Sequence, residues 1–430
     1  VKRSSHVCLL PIVCFIVLLS ATVAMPENWP NWRGPDHTGV SRETALPTVW
    51  SEKKNIAWKL PMPGIGGSTP AVWGDRIFLT SSDGNDLVLL CFSTQGKELW
   101  KRKVSNVGRK IIKKDEANEA SNSPSTDGKH VWALFGSGDL ACFDFDGKEI
   151  WKFNIQERYG KYRIQHGIHT TPLLYGDRLY LALLHSGAHW VISLDKATGD
   201  DVWKVERKTD ATDESLEAYT SPCLWQDAGG KEAYIVVLGC DYTTAHRLSD
   251  GGEIWRLGDL NPKSKYQKAF RIIASPIATP ELIFVPTARG TAFVAVKAEA
   301  KGMIKTGSAF EQWRKAKGSP DVPSPAAHDG LLYVCSEAGR LACWDSKTGK
   351  ELYNESVHAS RYRASPVVAD GKVYLTARDG TFSVIKAGPT FKVLSSNELN
   401  DVFTASPAIA NGRIYLRGFK SLYAVQERIK

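Results

Sequence analysis

Apolar residues along this chain come in short alternating runs, with no sustained 3.6-residue stripe between them. Ile77, Phe78 and Leu79 follow Gly74-Asp75-Arg76, and Leu179, Tyr180 and Leu181 follow Gly176-Asp177-Arg178. The figure returns after Asp329-Gly330, Asp370-Gly371 and Asn411-Gly412. Asp-Gly and Asn-Gly between alternating apolar residues predict β-hairpins. Upstream of most runs stands a Ser or Thr followed by Pro, at Thr69, Ser123, Thr171, Ser221, Ser275, Ser324, Ser365 and Ser406. Five units close on a Gly turn and an aromatic: Gly96 to Trp100, Gly147 to Trp151, Gly199 to Trp203, Gly251 to Trp255, and Gly349 to Tyr353.

Each unit therefore predicts four short strands, and eight such units predict an all-β fold, an eight-bladed β-propeller over residues 55–430. The last unit ends at Leu422–Val425 without an outer strand, while Asn55-Ile56-Ala57-Trp58 is an outer strand with no blade before it. Pairing the two closes the ring and removes an open edge.

The repeat of Ser/Thr-Pro, hairpin turn, Gly-Lys-Glu and closing Trp resembles the PQQ-like repeat, shared by quinoprotein dehydrogenases and by the periplasmic propeller of the outer-membrane assembly machinery. The opening stretch Trp29-Pro-Asn-Trp32-Arg33-Gly34-Pro-Asp36 to Ser41 is similar to the N-terminal segment of quinoprotein alcohol dehydrogenases, and to exported propellers of planctomycete-type bacteria. The resemblance implies the fold for nearly the whole chain and leaves function open between a binding scaffold and an enzyme. Quinoprotein alcohol dehydrogenases carry two adjacent cysteines, a Trp, and Glu, Asn and Asp around calcium. No two cysteines are adjacent here and no motif matches the calcium ligands, so PQQ with calcium is not carried over.

The first residues change the picture of where the protein works. Lys2 and Arg3, an apolar run from Val7 to Leu19, and the small residues to Ala24 predict a cleaved signal over 1–24, hence a periplasmic or extracellular protein with no membrane span after cleavage. An uncleaved N-terminal membrane anchor is the alternative. Residues 25–54 precede the first strand and are expected to pack on the propeller as a separate segment. Six cysteines remain after cleavage; Cys91, Cys142 and Cys343 share one place in their blades and read as buried small side chains, and Cys335 could face Cys343 across a three-residue turn. The formal charge of +9 is concentrated at Lys101–Lys114, read as a solvated loop with no nucleic-acid partner, in a monomer. No phosphate loop, Gly-x-Ser-x-Gly elbow or His-Glu-x-x-His helix is present, which removes several enzyme classes.

Candidate chemistry sits ahead of the prolines, where inner strands approach one mouth of the channel. Alternation places the third and fifth residues before each proline on one face. Those places hold Glu119, His169, Glu217, Tyr219, Arg271, Arg361 and Arg363, with His166 beside them. Guanidinium forks with carboxylates nearby suit an anionic small molecule or a protein ligand at the propeller face. A wet, self-neutralised mouth is the alternative. His166, His169, His185 and His189 cluster in blade three without a standard metal-ligand spacing, and no metal is assigned. In the opening stretch Trp29 and Trp32 read as docking anchors, with Arg33 and Asp36 as groups that could face the ligand. A dehydrogenase of the quinoprotein type with an altered site is the enzymatic alternative.

Overall fold

The computed structural model describes residues 27–107 and 118–427. Eight sheets, each built on four antiparallel strands, follow one another, and the hairpin turns lie where the Asp-Gly and Asn-Gly pairs are. Blade one is typical: Ala71–Trp73 innermost, then Arg76–Asp83, Asp86–Ser93 and Glu98–Asn106. The inner strands are two to four residues long, because the Ser/Thr-Pro before each one cannot continue a ladder on its proline side. Blade eight is completed by Ile56–Pro61, which pairs antiparallel with Ser421–Val425, so the ring closes as its unpaired ends require.

The closing aromatic is a clasp between blades. The indole N–H of Trp100 donates to Phe145 O, that of Trp151 to Lys196 O, that of Trp203 to Leu248 O, and that of Trp313 to Ser346 O. Each carbonyl belongs to the turn of the next blade, and Trp58 reaches Thr94 O in the same way across the ring closure. The Gly of that turn lies under the ring: a Cβ at Gly147 would stand 2.8 Å from Trp100 Cδ2. The repeat signature thus encodes contact between neighbours rather than stability of one blade.

Between blades five and four the pattern is broken. Blade five reaches its outer strand, Glu311–Lys315, only after a detour in which Gly302–Ile304 pairs parallel with the outer strand of blade four, Glu253–Leu257. That fifth strand covers an edge the repeat leaves open.

Cys335 does not face Cys343. The turn runs through Ser336–Gly339, Leu341 stands opposite Cys335 and Tyr333 opposite Cys343, and both thiols are free and buried. Cys91, Cys142 and Cys343 occupy equivalent positions opposite Trp100, Trp151 and Tyr353, and burial pushes the first two up to about 12. In the basic stretch, Lys101 and Lys103 lie on an outer strand with Asp83 and Asp86 as partners, while residues 108–117 are outside the described residues. The signal expected over 1–24 also lies outside them.

The N-terminal segment crosses one end of the channel. Trp29 exchanges backbone hydrogen bonds with Val72, Thr126 N donates to Pro30 O, and Val368 pairs with Gly39 and Ser41. Each of these inner-strand residues stands two places after its blade's proline, so the segment lies beyond the Ser/Thr-Pro positions in the direction of the chain. Trp29, Leu46 and Trp50 then join the apolar core of blades one, seven and eight.

Candidate functional site

Where the inner strands converge, two tiers of residues enclose a cavity of about 240 Å³. The lower tier is the Ser/Thr of every Ser/Thr-Pro pair. Seven of these hydroxyls accept the backbone N–H of the equivalent residue in the preceding blade, at 2.8 to 3.3 Å, as in Ser221 N to Ser275 Oγ and Ser275 N to Ser324 Oγ. The residue before a proline is held extended, so its own amide points sideways to the next blade. The motif's hydroxyl is the acceptor that this amide needs inside a buried ring.

The upper tier is the third residue before each proline. All eight line the cavity, among them His169, Tyr219, Arg363 and Thr404. Of the fifth places only Arg271 does, together with His166. Alternation therefore holds two residues back from the Ser/Thr, while four residues back it places Arg271 but not Glu119, Glu217 or Arg361. Glu119 is buried at 4% with its carbonyl on Gly136 N; Glu217 turns to the rim, where its carboxylate accepts Gln165 N at 2.8 Å and Tyr219 Oη at 2.9 Å; Arg361 lies in a neighbouring groove 3.6 Å from Glu337.

The segment across the channel supplies the floor. Trp32, expected as an anchor, lines the cavity and also a much smaller one below it, so its ring is a partition. Arg33 does not reach the ligand space. It is buried at 4%, donates to Pro325 O at 2.6 Å and to Pro366 O and Thr38 O, and burial lowers its guanidinium to about 9. Asp36 is outside too, paired with Arg42. A buried cation is tolerated here because backbone carbonyls surround it.

One lining residue had no signal in the alternation. Asp321, four places before Pro325, is among the described residues the sole carboxyl in the cavity wall. Burial first, and then its hydrogen bond with Glu337, holds the Asp321 carboxyl above the usual carboxylate range. Burial acts the same way on Glu337 but is outweighed by Asp321 and by Arg289 and Arg363, so Glu337 is lowered and Asp321 is the weaker acid of the pair. Arg363 Nη1 is 3.1 Å from Glu337 and 3.8 Å from Asp321. Across the cavity, Arg271 Nη1 is 3.3 Å from Glu214 and 3.4 Å from His166 Nε2, and its buried Nε–H has no hydrogen-bond partner among the described residues. Tyr219 packs between the two histidines, with ring centroids 5.9 and 6.3 Å away.

His185 and His189 sit apart from this group in the next hairpin, the first buried and the second half-buried, and His185 Nδ1 accepts Gly187 N. Among the described residues no three His, Cys, Asp or Glu side chains converge as metal ligands. Calcium takes six to eight oxygens, most of them carboxylate. A wall with one carboxyl among its described residues, set 3.8 Å from Arg363, does not fit a calcium-bound quinone, and no step is derived through one.

A family profile described as outer membrane protein assembly factor BamB matches residues 85–263 and 243–389. No curated protein matches significantly. Among solved structures, BamB from Moraxella catarrhalis is similar at 12% identity, TM-score 0.60, over 86% of this chain and 99% of that one. A europium-containing methanol dehydrogenase is similar at 14% identity, TM-score 0.66, over 94% and 90%. The quinohemoprotein alcohol dehydrogenase of Comamonas testosteroni is similar at 13%, TM-score 0.65, over 94% and 81%. At these identities the likeness is one of fold.

Proposed function

The chain belongs to the PQQ-like repeat β-propeller family, and from that premise we propose that it is an exported, monomeric binding protein that holds a small anionic ligand in the mouth of its channel. The observation that carries this is the placement of Arg271 and Arg363, from blades five and seven, in the wall of one cavity that among the described residues holds a single carboxyl, Asp321. Their acidic partners, Glu214 and Glu337, do not line it. Positive charge in the wall therefore exceeds negative charge, and a guanidinium in a partly desolvated pocket binds carboxylate or phosphate better than it does in water. His166, itself packed on Tyr219, holds Arg271 from the side, so little order has to be created on binding.

A family whose relatives include both an assembly factor and dehydrogenases supports binding without requiring catalysis. The quinoprotein reading has the shared fold in its favour and the donor set against it. Incubation with PQQ and calcium followed by gel filtration is expected to leave no retained chromophore; a stoichiometric chromophore with dye reduction by alcohols would replace the binding reading with the enzymatic one.

Calorimetric titration with small carboxylates and phosphate tests the site itself. Arg271→Gln is expected to weaken anion binding by about tenfold or more, as loss of a charge-assisted pair implies, with an unchanged melting temperature because Arg271 is one-third exposed. Unchanged affinity would remove the site. Charge reversal at Arg363 is a poorer test, since it would set a third acid beside Asp321 and Glu337.

A further inference from the structure

The lower tier says which anions the cavity suits. In each of the seven linked hydroxyls one lone pair is taken by the preceding blade's amide. Among the described residues no protein group accepts their O–H protons, and the hydroxyl residues are buried, the most exposed being Thr171 at 8%. All of them line the cavity, which is the one direction left for those protons. Buried hydroxyls ordinarily have both roles filled. A ring of O–H donors around a lumen, with a second lone pair still open on each oxygen, matches a ligand that carries many hydroxyl oxygens of its own. The Arg271 Nε–H adds one more buried donor without a partner among the described residues.

Simple anions answer only half of this wall. Propionate or phosphate would engage the arginines and leave the ring's protons unmet, while a neutral sugar would meet the ring and leave the guanidiniums. Resting on the anion-binding reading above, we infer that the ligand is a polyhydroxylated carboxylate, a sugar acid of monosaccharide size. Its carboxylate lies between Arg271 and Arg363, its hydroxyls reach down to Ser221, Ser275 and Ser324, and its apolar ring face rests on the Trp32 partition. Aromatic floors suit sugars because the C–H face of a pyranose is apolar and flat.

Calorimetry on the full protein with sodium D-glucuronate, D-glucose, propionate and inorganic phosphate decides this. Glucuronate is expected to bind at least tenfold tighter than each of the others. Ser275→Ala is expected to weaken glucuronate about fivefold, the size of one neutral hydrogen bond, and to leave propionate unchanged. That variant also removes the acceptor of Ser221 N; if it fails to fold, the ligand series on the unaltered protein still decides. Propionate or phosphate binding as tightly as glucuronate would overturn the sugar-acid assignment and leave the anion site standing. Glucose binding as tightly as glucuronate, or no binding by any of the four, would overturn both.

Discussion

His246 is a base kept neutral inside blade four. It is 1% exposed, with Nδ1 2.9 Å from Gly251 O and Nε2 2.8 Å from Thr244 Oγ1, and burial depresses it to about 4. His185, also 1% exposed, is lowered to about 4 for the same reason. The unfolded chain takes up these protons near pH 6.5 and the folded chain near 4, so between those values the unfolded state binds more protons. Stability from these groups is fully present above about pH 6.5 and is lost as pH falls towards 4. For His246 alone the loss is on the order of 3 kcal/mol. Urea unfolding at pH 7 and 4.5 should show a marked fall in midpoint, and His246→Gln should flatten the dependence; a midpoint independent of pH would mean that His246 is not buried neutral. At this scale the sequence was partly legible. Arg363, His169 and Tyr219 line the cavity as expected because two-residue alternation holds close to a proline, and Arg271, two residues further back, is the one fifth place that does. Arg33 and Trp32 were read in exchanged roles, since nothing in Trp32-Arg33 says which side chain turns towards the channel.

Between residue and blade, the Trp–Gly clasp is what the repeat spells. Gly147 has φ of 78° and lies under Trp100, so a side chain there meets both a strained backbone and an indole. Gly147→Ala should cost about 2–3 kcal/mol, read as a lower melting temperature. Gly74→Ala is the control, with φ of 55° but open space around it, and should cost about 1 kcal/mol or less. Equal losses in the two variants would mean that the clasp adds nothing beyond the turn. The element that could not be read is Gly302–Ile304, which leaves its own blade to pair with the previous one. Three residues of strand with Met303 55% exposed carry no periodic signal, and the pairing depends on where the edge of blade four happens to be open.

Taken whole, the molecule is a ring locked twice near its N-terminus. One lock is the strand Ile56–Pro61 in blade eight, and the other is the segment anchored by Trp29 and Trp50 and tied to the prolines of blades six and seven by Arg33. Removing residues 25–54 while sparing the strand should keep the β circular-dichroism signature, lower the melting temperature and abolish anion binding, because the Trp32 floor goes with it. Removing residues through 62 should also expose the edge of Ser421–Val425, and aggregation on size exclusion is the expected result. If both truncations behave alike, the strand is not the closing element.

The sequence by itself determined the number of blades, their strand order and the closure of the ring, because each follows from local turn chemistry repeated eight times and from counting which unit lacks a strand. It also placed the right eight positions, one before each proline, without saying what they do. Only the tertiary structure decided that: the hydroxyls line up around the channel because for seven of the eight amides the acceptor lies in the next blade, 41 to 54 residues on. Likewise Asp321 joins the cavity and Glu119, Glu217 and Arg361 leave it, since five residues upstream of a proline the chain is no longer a strand and its direction is set by contacts with other blades.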